Sequence, residues 1–180
     1  MREINIPKFL QEFHGKKASL ISMIFVYVNA IIFAIVVSYF VKSENLNLWK
    51  EILLFVIVAD IAGGAIANFT TSTRQYYKEN PKLQLPFLLL HIIHPVLLYI
   101  LLPQFISFSI FMGVFTIISI VIIRLIAHLN DLKIISIFLF IIGNAILLLI
   151  PCEIQILRII PILFFLKIIL GFAVGVFQKK

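Results

Sequence analysis

The sequence predicts an all-α protein: a polytopic integral membrane helical bundle of six transmembrane helices, with a short N-terminal interfacial helix. Three observations predict it. Apolar runs of roughly 20 residues, enough to cross a ~30 Å hydrocarbon core, recur along the whole chain. Mean hydropathy is +1.14, and 13% of the residues are charged, where soluble domains carry about 25%. Runs such as IFLFIIGNAILLLI lack the apolar/polar alternation of a transmembrane strand. The 180 residues leave room for a single transmembrane domain, residues 1–180, and for no soluble one.

The elements follow in order. Residues 1–18 are too polar to span, but Ile6, Phe9, Leu10 and Phe13 fall at helical spacing on one face, while Lys8, Gln11, Glu12 and Lys16 lie on others. Pro7 suits a first turn and Gly15 a stop, so a short amphipathic helix on the cytoplasmic membrane surface is expected. No small-residue cleavage site follows it, which reads as a retained segment rather than a signal peptide. Spans are expected at about 20–41, 48–69, 85–102, 106–127, 134–150 and 154–177. Short connections imply antiparallel neighbours. The break at Pro103-Gln104 is brief enough that a five-span arrangement, merged or re-entrant there, is the alternative.

Lys and Arg near span ends set the orientation. Eleven fall on one side (Arg2, Lys8, Lys16, Lys17, Arg74, Lys78, Lys82, Arg124, Lys133, Lys179, Lys180) and three on the other (Lys42, Lys50, Arg158). Both termini are therefore expected in the cytoplasm, with the chain in the cell (inner or cytoplasmic) membrane. The formal charge of +7 follows this loop pattern, so the bilayer and not nucleic acid is the expected partner. The single cysteine, Cys152, rules out an internal disulfide and any cysteine-based metal cluster.

Counting inward from the cytoplasmic span ends gives depth, at ~1.5 Å per residue. Asn29 lies ten residues from Ser19, Asp60 ten from Thr70, His94 nine from Leu85, Asn144 ten from Ile134 and Lys167 ten from Phe177. Thr116 stands at a comparable depth on the fourth span. A polar layer near the bilayer midplane results. Interhelical hydrogen bonds average only ~0.6 kcal/mol, so packing is a weak reason to keep all of these groups. Buried charges cost about 2.5–3.5 kcal/mol each on insertion scales, which makes Asp60 and Lys167 functional candidates and each other's natural partners.

A second layer lies nearer the cytoplasm. Asp60, Gly64, Ala67 and Thr71 form one stripe with Asn68 at its edge, and His91 and His94 share a face just before Pro95. Arg124, His128 and Asp131 run out of the fourth span, and TTSTRQYY reads as a hydroxyl-rich connection. The candidate substrate or proton site is thus Asp60, Asn68, His91, His94, Lys167, Asn29 and Asn144. Arg74, Arg124 and His128, with Lys78 and Lys82, are candidates for an anionic headgroup or phosphate. Asp60, His91 and His94 are the donor types that hold a divalent metal, the candidate cofactor. Small residues at Ala30/Ala34 and at Gly63/Gly64 offer close-approach faces for a neighbouring helix or a membrane-protein partner.

No Walker motif, no Gly-x-Ser-x-Gly elbow, no metalloprotease motif and no dinucleotide fingerprint is present. Three readings remain. The first is a small transporter, or the membrane substrate-binding subunit of one, with a midplane ionisable site open to the cytoplasm. The second is an intramembrane enzyme acting on a lipid or isoprenoid through Asp60, His91 and His94. The third is a non-catalytic accessory or immunity-type protein whose polar layer fixes packing alone.

Overall fold

The computed structural model of the chain describes residues 3–44 and 46–178. Arg2, Lys179 and Lys180, counted above for orientation, lie outside them. Each expected span is a helix: α2 (Leu20–Val41), α3 (Leu48–Ala67), α5 (Gln84–Leu101), α6 (Ile106–Leu125), α7 (Leu132–Leu149) and a last helix over Gln155–Phe177. Five of the six are long and apolar enough to cross a membrane by themselves. The other, α3, carries Lys50, Glu51 and Asp60, and meets the same test only together with the helix that follows it.

The last helix is the pillar of the bundle. Some 78% of its most apolar stretch is buried, against 22–33% for the other four self-sufficient spans. It packs against α3, α6 and α7, while α2 and α3 form a tight hairpin beside it. Outer faces of α2, α5 and α7 expose large apolar side chains such as Phe25, Leu90 and Phe138, which is stable only in contact with lipid.

The small-residue faces are used inside the chain. A Cβ on Gly63 would meet the Ala30 Cβ at 3.2 Å, and Ala34 is wholly buried. The Asn29 amide donates to the Ala62 carbonyl at 2.7 Å across the same contact. The close approach expected for a partner through Ala30/Ala34 or Gly63/Gly64 is therefore intramolecular. Neither face is open to a second protein.

Three features depart from the sequence reading. First, the N-terminal segment is not a single surface helix. β1 (Glu3–Asn5) pairs antiparallel with β2 (Lys17–Ser19), joined by a 3-10 turn at Lys8–Leu10 and α1 (Gln11–His14). Gly15, at φ 75°, supplies the left-handed turn that ends α1. Of the expected apolar face only Phe9 is exposed. Ile6 is buried, and the His14 Nε2 lies 2.9 Å from the Tyr27 hydroxyl. Second, residues 71–79 are a helix, α4 (Thr71–Glu79), turned 91° from α3. Thr70 caps it by accepting from the Thr73 amide. The Thr73 hydroxyl donates to the Phe13 carbonyl at 2.9 Å, which binds α4 to the N-terminal clip. Third, Leu166–Val174 of the last helix is π-helical, a rare, widened form that frequently accompanies functional sites.

α4 also touches the C-terminal turn of the last helix, α9 (Gly175–Phe177), so both described ends of the chain lie at one end of the bundle. At the other end Arg158 donates to the carbonyl of Leu147, which also accepts from the Ile150 amide, and to the carbonyl of Ile150 just past α7.

Candidate functional site

Three helices bring Asp60 (α3), His91 and His94 (α5), and Lys167 (last helix) together. The Lys167 ammonium, 1% exposed, donates to Asp60 Oδ2 at 2.6 Å and to the Asp60 carbonyl at 3.1 Å. Its side chain lies flat on Gly64, where a Cβ would stand 2.7 Å from Nζ and 2.8 Å from Cδ. Only glycine leaves this slot open. His94 Nε2 is 2.8 Å from the same Oδ2, and His91 Nε2 is 3.8 Å from it. The two imidazoles stack with centroids 5.1 Å apart, as their i, i+3 spacing on one face requires.

Hydrogen-bond partners fix the protonation logic. A carbonyl only accepts, so the Nδ1 of His91, 2.6 Å from the Phe87 carbonyl, carries the proton. His94 differs, because both its nitrogens face acceptors: Nδ1 lies 3.2 Å from the His91 carbonyl and Nε2 faces the carboxylate. A neutral imidazole has one N–H. His94 satisfies both contacts only when it holds a second proton, or when the carboxyl group supplies the proton between them.

The surroundings are asymmetric. Every hydrogen bond to this carboxylate among the described residues goes to Oδ2, and the Asp60 side chain is 37% exposed. His91 is closed in by Phe87, whose ring centroid lies 4.1 Å away. Behind it a space of about 10 Å³ is shared with Thr116, whose buried hydroxyl has no partner among the described residues. That volume suits a single water molecule at most.

The remaining candidates divide. Asn68 joins the cluster at one remove, donating to the Lys167 carbonyl at 3.1 Å. Asn29 ties α2 to α3, and Asn144 donates to the Phe140 carbonyl of its own helix. Neither reaches the cluster, although depth alone grouped them with it. Arg124 and His128 are exposed at the end of α6 and beyond it, whereas Arg74 is half-buried. As a metal site the Asp60, His91 and His94 trio does not assemble. A lysine ammonium occupies the carboxylate oxygen that both histidines approach, and among the described residues no group of three or more His, Cys, Asp or Glu is placed to hold an ion.

One contributor was not foreseen: Phe87 fixes the tautomer of His91. Its signal was present, since Phe87 is four residues before His91, one helical turn. Gly64, expected as a close-approach position on the Asp60 stripe, seats Lys167.

Comparison with family models, with characterised proteins and with solved structures finds no match to this chain.

Proposed function

We propose that this multi-pass membrane protein is a small transporter, or the membrane substrate-binding subunit of one, whose state is set by a proton taken up and released at the Asp60–His94–Lys167 cluster. The carrying observation is His94. Its imidazole has an acceptor at each nitrogen, a backbone carbonyl and a carboxylate that already pairs with a lysine, which is one acceptor more than a neutral ring can donate to. Ionisable groups are expensive inside a span and are regularly kept there as proton relays. In this reading the bundle lies in the cell membrane with both termini in the cytoplasm, supported by the Lys and Arg asymmetry of its loops.

The reading of an enzyme acting on a lipid has less support. It needs room for a substrate atom beside the histidines, and the space lined by His91 is about 10 Å³.

Side-specific labelling tests the proposal. Single cysteines at Thr71 and at Tyr39, near opposite ends of the bundle, are introduced into a Cys152→Ser background and reconstituted in liposomes. Labelling from each side is compared at pH 8 and pH 5.5. A proton-driven transporter exchanges accessibility between the two positions as pH changes, and Asp60→Asn holds it in one pattern. Identical labelling at both pH values, unchanged by Asp60→Asn, would make the cluster a packing device.

A further inference from the structure

At the end of the bundle where α4 meets the last helix lies an open groove of about 760 Å³. Its mouth carries Arg74 and Lys78 from α4 and Lys133 from α7, and its wall carries Phe69, Ile137 and Leu170. The order of these groups matters. Ile137 is one helical turn from Lys133 on α7, in the direction of the span, so the apolar wall lies on the membrane side of the cations. Phe69 and Ile137 are 43% and 39% exposed, so this wall is not covered by the protein.

Arg74 is held in place. Its Nε donates to the Asn68 carbonyl at 2.9 Å, and its guanidinium lies 5.1 Å from the Phe69 ring centroid. The aliphatic stem rests on Gly175, where a Cβ would stand 2.7 Å from the arginine Cδ. These contacts use Nε and the stem and leave the two terminal nitrogens unbonded among the described residues. A guanidinium presented with that edge free is the geometry that grips a phosphate in a bidentate way. The one carboxylate on the groove, Glu79, is engaged by Lys16 at 2.6 Å and by Gln75 at 2.8 Å. Lys16 meets its charge from outside the groove, which leaves three cations with no acid paired to them there among the described residues.

From this we infer that the groove binds an anionic phospholipid of the surrounding bilayer, its phosphate on Arg74, Lys78 and Lys133 and an acyl chain along Phe69, Ile137 and Leu170. A free phosphate would use the cations and leave the apolar wall idle. The lipid uses both. The inference stands on the groove alone and does not depend on the proton reading of the midplane cluster.

The test is a titration by native mass spectrometry of the full chain in mild detergent, with phosphatidylglycerol, phosphatidylcholine and inorganic phosphate as probes. Phosphatidylglycerol should bind as a single tight adduct, at least tenfold tighter than phosphatidylcholine. Lys78 and Lys133 are exposed, so Lys78→Gln/Lys133→Gln leaves the fold intact, and it should weaken that adduct about tenfold or more. Arg74→Lys keeps the charge, loses the fork and should also weaken it. Lys82→Gln, outside the groove, should bind as wild type. Equal binding of the two lipids would overturn the proposal, as would wild-type binding by the groove variants. Displacement of the lipid by millimolar inorganic phosphate would overturn it too, and would assign the cations to a free phosphate instead.

Discussion

Replacing Asp60 by Asn, Lys167 by Met, and then both, separates a functional pair from two independent polar residues. Opposite charges 2.6 Å apart attract by about 6 kcal/mol at an effective dielectric of 20. The hydration lost by a lysine that is 1% exposed takes back several kcal/mol of this, so the intact pair is worth little in stability. Breaking it is another matter, at about 3–5 kcal/mol for a fully buried pair. The 37% exposure of the Asp60 side chain places this one near the lower end. The two single changes should also differ. Without Asp60, Lys167 and His94 lose their common acceptor, at about 3 kcal/mol. Without Lys167, His94 at 2.8 Å can hold a proton and remain paired with the carboxylate, so the loss is about 2 kcal/mol. Methionine refills the slot over Gly64, and the double variant should cost about 2 kcal/mol rather than the 5 expected of independent sites, a coupling of about 3 kcal/mol. Denaturant midpoints in mixed micelles, together with the yield of monodisperse protein, measure the cycle. Single effects that add to within about 0.5 kcal/mol would refute the pairing argument.

Four further outcomes are expected. Gly64→Ala should cost about 1–3 kcal/mol by forcing Lys167 from its slot, against about 1 kcal/mol or less for Gly63→Ala, where the new methyl meets Ala30 and Phe13 at 3.2 and 3.3 Å; thermal melts of the two variants compare them. Arg158→Met should destabilise by about 1–3 kcal/mol by leaving the Ile150 carbonyl unmet and the Leu147 carbonyl with the Ile150 amide alone, seen as faster amide exchange confined to that end. Tyr77 is fully buried and its hydroxyl has no partner among the described residues, so Tyr77→Phe should melt at or slightly above the wild-type temperature. Burial holds the His14 imidazole below its ordinary pKa of 6.5, so the unfolded segment binds more protons than the folded one as pH falls below that value. The stability that His14 contributes is then complete above pH 6.5 and is lost below it. Amides of the β1–β2 clip should open more readily at pH 5.5 than at pH 7.5, and His14→Gln should remove the difference.

Much of the bundle was legible because hydrocarbon leaves the chain few choices. Every backbone group in a span must bond within its own helix, so apolar run length alone located six helices to within two or three residues. Depth counting brought Asp60 and Lys167 to one level, and i, i+3 spacing put His91 and His94 on one face. Depth says nothing about azimuth, however. Asn29 and Asn144 share the level of Asp60, but they point to other neighbours, which only the helix rotations reveal. Helix α4 was misread as a connection because its composition is polar, although Thr70 ahead of Thr73 and the Asn80-Pro81 stop mark its ends by ordinary capping rules. The β1–β2 ladder joins residues 3–5 to 17–19, and pairing across an intervening helix has no local signature. Lys133 has no local signal as a groove residue for the same reason, since α7 and α4 come to line one groove only in three dimensions.

The midplane cluster and the groove share one joint, and that joint sits where regular helix geometry fails on both sides. α3 ends at Ala67, so the Asn68 carbonyl has no successor in its own helix and accepts from Arg74 at 2.9 Å. Across from it the last helix is π-helical, and the Asn68 amide donates to the Lys167 carbonyl at 3.1 Å. Gly171 permits this approach, since a Cβ there would stand 2.9 Å from the Asn68 Cβ. One asparagine therefore binds the backbone of the residue that pairs with Asp60, and its own backbone binds the arginine that lines the groove. A regular α-helix resists sliding because each residue is locked by i→i−4 bonds, whereas a π segment can be exchanged for an α turn by moving one residue's worth of backbone. If proton uptake at Asp60 loosens Lys167, the π segment is where the last helix can respond. Any shift of Lys167 along that helix must then be taken up at Asn68, and through its carbonyl at Arg74.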